Sequence, residues 1–409
     1  MATRTGDGKP GRAFSGLRVV DCTGGIAGPY CTKLLADFGA GVIKVERPGE
    51  GDPTRGIGPF AADDPDKEKS GAFFYLNTSK KSITLNLEKE KGVRLFKELV
   101  KEADVLVENF RPGAMDGLGL SSDVLEGLNP GLVVTSVSYF GQTGPYRDYC
   151  ATNLTVSALG GVMSTMRPAT RPLERPVVAG GFQAEYATGV LSFITTVAAL
   201  INRGGTGRGG RIDVSAMECI ASTLTGHLAE YPYLGLSRRT NPFAIHGYPI
   251  GYSVPCQDGW ISLTPGIGGA PNIPLLIERP ELMDDPLFTQ PRARMAAPDR
   301  FDGVMAPWLK DHDKWEITGK AQELRLAFTP VLSPGELLED EQIKAREFFA
   351  RAEHPVMGRV TFPGAPAKLS GSPWQAGRAP RLGEHNGEIY GSLGYSGEDI
   401  SRLRAEGII

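Results

Sequence analysis

The turn Gly24-Gly25-Ile26-Ala27-Gly28-Pro29 follows an apolar run, Leu17–Cys22 (LRVVDC), and leads into a helical pattern entered through Pro29. The next apolar run, GVIKVE, ends in Glu46 with Arg47 directly after it. Proline is favoured at the first helical position, where its missing N–H costs nothing. The free N–H groups and positive dipole end of such a turn suit a phosphate, a carboxylate or a developing oxyanion. A dinucleotide is one reading, because Glu46 lies roughly 20 residues beyond the glycines, where a ribose-binding carboxylate would stand. Against it, the turn does not fit G-x-G-x-x-G, and Arg47 places a cation beside Glu46. A third reading is a glycine turn that only lets a helix pack on a strand.

The elements that must position these residues alternate. VVD, VIKVE, SITLNL, VLVEN and LVVTSVS are short β-branched runs, and helical patterns at Glu90–Ala103 and Leu120–Leu128 lie between them. This alternation predicts an α/β fold with a parallel, doubly wound, Rossmann-like sheet. A glycine cluster at Gly204–Gly210 leads into RIDVSAMECIASTL, which reads as a strand and a long helix. From about residue 230 the texture turns to proline, glycine and aromatics (YPYLGL, NPFAIHGYPIGY, DGWISLTPG), the mark of a separate smaller domain. The expected boundaries are a flexible tail at 1–12, a large domain at 13–224, a small α+β domain at 225–330 and a return segment at 331–409 completing the large domain. The tail lacks the hydrophobic region of a signal peptide.

The chain has 409 residues, 41% apolar content and a net charge of -3 with both signs dispersed, so no nucleic-acid or membrane partner is expected. The longest apolar run, Gly189–Ile201, carries a serine and two threonines and reads as a buried helix. No run approaches the roughly 18 residues of a membrane span. Five scattered cysteines without a C-x-x-C pair fit a reducing cytoplasm and argue against a disulfide frame. The histidines show no metal-ligand spacing, so no metal site is expected. His385 and the Asp311-His312-Asp313 cluster read as packing and as a solvated helix turn.

Taken together, GGIAGPYCTKLLADFGAGVIKVERPGEGDPTRG, NTSKKSITLNL, VENFRPGAMDGLGL, SVSYFGQTGPY and LGEHNGEIYGSLGYS resemble the class III CoA-transferases. That family includes the formyl-CoA:oxalate and carnitine CoA-transferases and, more distantly, the α-methylacyl-CoA racemases. The resemblance implies a Rossmann-like large domain built from both termini, a small domain, and two ring-shaped subunits interlocked as a dimer. It implies no tightly bound cofactor and a coenzyme A thioester as substrate. In the family an aspartate attacks the acyl-CoA to form a mixed anhydride and release CoA thiolate. The thiolate then takes the enzyme carboxylate as a thioester, and the incoming acid completes the exchange through a second anhydride.

The family aspartate stands four residues before a glycine that opens a long apolar helix. Counting back from Gly189 reaches Glu185, so glutamate replaces aspartate. The alternative for Glu185 is an acidic residue favourable to the helix dipole. The resemblance gives Ala27, Arg47, Leu85, Asn109 and Phe110 as a coenzyme A footprint. It also shows departures: Ile26 replaces a glutamine beside the thioester, and Glu88, Gly117 and Ser138 replace basic residues. The covering glycine-rich loop would fall near Asn241–Gly251, where only Gly247 and Gly251 are glycines. The racemase bases correspond to Thr152-Asn153 and Glu185, and threonine is no base at neutral pH. Three functions follow: a non-catalytic subunit beside a homologous aspartate-bearing chain, a self-sufficient homodimeric transferase using Glu185, or a CoA-binding regulatory protein.

Overall fold

The structure is a computed structural model, and residues 11–166, 177–235, 252–264 and 270–409 are described. It divides into two compact units, Met1–Gly160 with Ala179–Thr223 and Lys344–Ile409, and Gly161–Val178 with Leu224–Ile343.

The first unit is built on six parallel strands: β1 (Arg18–Cys22), β2 (Gly41–Glu46), β3 (Lys81–Thr84), β4 (Val105–Glu108), β5 (Val133–Ser138) and β6 (Gly210–Ser215). Their spatial order is β3-β2-β1-β4-β5-β6, the doubly wound order in which direction reverses between β1 and β4. Alternate residues of each strand meet opposite layers. Val19, Val105, Val107 and Val133 pack with Cys31 and Leu35 of helix α1 (Ala27–Asp37). Val20 and Leu106 pack with Leu95, Phe96 and Leu99 of the helix Glu90–Lys101. Apolar side chains on both faces are what a parallel sheet covered by crossover helices requires.

The C-terminal segment closes the free edge at β3. Asn386 accepts from the Thr84 N–H at 2.8 Å through Oδ1 and donates to Thr84 Oγ1 at 2.7 Å. The Tyr390 hydroxyl donates to the Thr84 carbonyl at 2.7 Å. His385 N–H donates to the Ser82 carbonyl at 2.9 Å, and its Nδ1 accepts from the Ser82 N–H at 3.2 Å. These bonds give His385 a structural task and cover groups that an open edge would expose.

Two helices outside the sheet carry site residues, α2 (Asn153–Leu159) and α3 (Gln183–Thr206). The expectation that the 189–201 run is a buried helix holds only for one face. Ala184, Thr188, Gly189, Ser192 and Thr196 are buried, whereas Ile194 and Ile201 are 51% and 74% exposed. The small residues let α3 lie close to α1 and β5; Leu191, Phe193 and Leu200 pack against that core, while Ile194 and Ile201 face outward. Among the described residues α3 alone has the length and composition of a membrane span; here it packs along α1, β5 and β6. The long helix expected after β6 is broken in the middle: it runs Ala216–Ala221, tightens into a 3-10 turn at Ser222–Leu224, where the Ser222 and Thr223 hydroxyls donate to the Cys219 and Ile220 carbonyls, and resumes at Thr225–Leu234.

The second unit carries an antiparallel sheet of β7 (Tyr252–Cys256), β8 (Gly259–Thr264) and β9 (Ala327–Pro330), with helices around a core of Ile261, Ile273, Phe288 and Phe328. Residues 331–343, expected with the return segment, belong to this unit. Glu336 pairs there with Lys314. Asp313 caps the helix Lys314–Glu323 by accepting from the Trp315 and Glu316 N–H groups.

Asn386→Ala would strand the buried Thr84 N–H and should lower stability by about 1–3 kcal/mol in chemical denaturation. An unchanged unfolding midpoint would contradict this account of the sheet edge.

Candidate active site

The crevice lies where the carboxyl ends of β1 and β4 diverge, the place open α/β sheets reserve for ligands. One wall is the turn after β1. Gly25 sits at φ +77°, a left-handed conformation that suits glycine. A Cβ on Gly28 would lie 2.5 Å from Thr23 Cβ, so this position also demands glycine. Asn109 takes both polar groups of Gly24, accepting from its N–H at 2.9 Å and donating to its carbonyl at 2.7 Å. Gly25 N–H reaches Asp52 Oδ1 at 3.3 Å, and Lys44 donates to the Thr23 carbonyl at 2.9 Å. The glycine amides are therefore already engaged. The donors left are the Ile26, Ala27 and Gly28 N–H groups at the start of α1, which have no hydrogen-bond partner among the described residues, and Ile26 provides no side-chain cap.

Beneath the turn lies a buried charge cluster. Lys44 pairs with Asp52 at 2.7 Å and Asp21 at 3.9 Å, and Lys80 pairs with Asp21 at 2.9 Å. Burial opposes the Lys44 charge, but Asp21 and Asp52 outweigh it and raise its pKa. Burial, with repulsion from Lys44, brings Lys80 down to about 8 despite Asp21.

Glu185 enters from the first turn of α3. A Cβ on Gly189 would meet the Ala27 carbonyl at 2.7 Å, so this glycine lets the first turns of α1 and α3 touch. The α3 start is fixed by Asn153 of α2, whose Oδ1 accepts from Ala184 N–H at 3.1 Å. Thr152 caps α2, accepting from Thr155 N–H, and so serves a helix end. Glu185 and Ala27 line one cleft of about 370 Å³ with Arg111, Tyr139, Tyr149 and Phe110. Burial raises the Glu185 carboxyl pKa. Burial and the neighbouring charge of Glu185 raise that of Tyr139 as well. No hydrogen bond or ion pair holds the Glu185 carboxylate among the described residues.

A second cleft of about 480 Å³ is lined by Arg47, Leu85, Glu88 and Gly117, and shares Gly24, Asn109 and Phe110 with the first. Thus all six expected site residues border one crevice: Glu185 and Ala27 on one side, Arg47 and Leu85 on the other, Asn109 and Phe110 between. Arg47 is exposed and paired with Glu50 at 3.4 Å and with Glu88. Ile26 is buried, and Ser138 lines the Glu185 side. The 241–251 loop lies outside the described residues.

The dinucleotide reading fails at Glu46. Its carboxylate accepts from Arg55 Nε at 2.7 Å, Ser82 Oγ at 2.6 Å and the Asp52 N–H at 2.9 Å, and it is buried. A ribose hydroxyl would have to displace this network. Sequence reasoning missed Lys44 and Asp52; the signal available was a lysine inside the apolar run VIKVE.

The description CoA-transferase family III matches residues 14–386. The chain belongs to that family. The formyl-CoA:oxalate CoA-transferase of Streptomyces avermitilis is 36% identical, over 97% of this chain and 100% of that protein. A subunit of Thauera aromatica, the succinyl-CoA:(R)-benzylsuccinate CoA-transferase subunit BbsE, is 34% identical over 98% of each chain. The crystal structure of a CAIB/BAIF family protein from Brucella suis matches with a TM-score of 0.84 and 29% identity, covering 94% of this chain and 100% of the other. For this family III chain, the six-stranded parallel fold agrees with that of the solved CAIB/BAIF family protein.

A carboxyl whose folded-state pKa is raised adds stability below its unfolded value and loses it as pH rises through the folded one. Glu185→Gln should therefore melt higher than the parent at about pH 7 and lose that advantage at about pH 4. A variant that melts lower at neutral pH would show that Glu185 is held by a compensating partner.

Proposed function

We propose that this chain is the supporting subunit of a class III CoA-transferase, moving CoA between an acyl-CoA such as succinyl-CoA and a carboxylic acid beside a homologous aspartate-bearing subunit. The observation that carries the reading is the state of Glu185. It stands at the attacking position with one methylene too many, partly buried, and no hydrogen bond or ion pair among the described residues fixes it. A displacement of about an ångström costs on the order of 10²-fold in rate. Arg47 supports the same reading, since Glu50 and Glu88 already occupy the cation at the second cleft. Relatives named as subunits add weight: the Thauera chain, and the succinyl-CoA–L-malate CoA-transferase alpha subunit of Chloroflexus aurantiacus, 32% identical over 99% of this chain. The partner would interlock with this chain in the cytoplasm, with CoA thioester as substrate and no tightly bound cofactor.

A second reading, a self-sufficient homodimer with Glu185 as nucleophile, is favoured by one fact. Glu185 borders the same cleft as the Ala27 N–H, which has no partner among the described residues and could stabilise an acyl oxyanion.

Hydroxylamine converts an enzyme anhydride or thioester to a hydroxamate on the attacked side chain. Mass spectrometry after incubation with succinyl-CoA and hydroxylamine, on this chain alone and with the homologous subunit, should place the hydroxamate only on the partner's aspartate. A hydroxamate on Glu185 would overturn the supporting role and establish the second reading.

A further inference from the structure

The parallel ladder between β1 and β4 runs from Val19↔Val105 to Cys22↔Glu108 and then stops. Beyond it the two chains part, β1 into the glycine turn and β4 into the Asn109–Gly113 turn. At the point of parting the Asn109 side chain does what backbone pairing did one residue earlier. Its Oδ1 takes the Gly24 N–H at 2.9 Å and its Nδ2 gives to the Gly24 carbonyl at 2.7 Å. The Glu108 carboxylate accepts from the Phe110 N–H at 2.9 Å, fixing the backbone on either side of Asn109. Gly24, Asn109 and Phe110 are also the residues common to the two clefts.

We propose that Asn109 is a positioning residue: its amide extends the β1–β4 pairing by one rung and so holds the Gly24 peptide as the dividing wall of the crevice. A coenzyme A thioester that reaches from the Arg47 side to the Glu185 side must cross this wall. With both amide groups committed to Gly24, the side chain acts on the ligand through the turn. Alanine would release both Gly24 groups. Aspartate would keep an acceptor for the Gly24 N–H but oppose the Gly24 carbonyl, so it should fall between parent and alanine. From the proposed function the inference takes only that coenzyme A enters this crevice.

The test is amide hydrogen exchange on the full chain, parent against Asn109→Ala and Asn109→Asp, combined with calorimetric titration of coenzyme A. Exchange in the peptide covering residues 22–30 should quicken by about tenfold or more in the alanine variant, with the β3 edge and the second unit unchanged. The aspartate variant should lie between. Coenzyme A affinity should fall in the same order, by about tenfold for alanine. Unchanged exchange at residues 22–30, or an aspartate variant indistinguishable from alanine in both readouts, would overturn the clamp. If the alanine variant does not fold, the aspartate variant against the parent decides by the same exchange. A parent chain that binds no coenzyme A would count against CoA entering this crevice, while the exchange result would still decide the clamp.

Discussion

A lysine with no solvent exposure holds the turn on which the site is arranged. Lys44 points from β2 into a pocket closed by Asp21 and Asp52 and donates to the Thr23 carbonyl. Removing one partner from such a buried pair typically costs about 3–5 kcal/mol, because the charge left behind cannot reach water. Asp52 in turn accepts from the Thr54 N–H at 2.7 Å and meets the Gly25 N–H, so the loop after β2 and the turn after β1 are tied to one ion pair. With the turn fixed, α1 starts where its Ala27 and Gly28 N–H groups have no partner among the described residues. Gly189 then brings α3, and with it Glu185, against that start.

Much of the fold was legible because its strands are short β-branched runs and its crossovers are amphipathic helices. VVD, VIKVE, SITLNL, VLVEN and LVVTSVS each became a strand of the sheet. Local spacing misled where a long-range partner decides the outcome. Glu46 stands where a ribose carboxylate would, yet Arg55 folds back to neutralise it through two bonds, at 2.7 and 2.9 Å. The run at 189–201 reads as a buried helix from its apolar content. Its buried face is instead small and hydroxyl-bearing, with Leu191, Phe193 and Leu200 packed beside it, and the Ser192 and Thr196 hydroxyls donate to carbonyls one turn back. The six site residues were legible only through resemblance. No periodicity marks Asn109 as the partner of a glycine 85 positions earlier.

The replacement of aspartate by glutamate gains its meaning from the surroundings. A nucleophilic carboxylate works best when donors fix its direction and a cation or helix dipole favours its charge. Glu185 sits in the first turn of α3, where the dipole favours it, but burial acts in the opposite sense and raises its pKa. Under the proposed supporting role, Glu185 is a carboxyl in the crevice that no hydrogen bond or ion pair among the described residues directs.

The most direct test is a crystal structure of this chain with coenzyme A, grown in the presence of its homologous subunit. The account predicts coenzyme A across Gly24, with its nucleotide on the Arg47–Leu85 side and its thiol directed toward Ala27 and Glu185. Coenzyme A bound elsewhere on the first unit, or a thiol end pointing away from the α1 start, would contradict it.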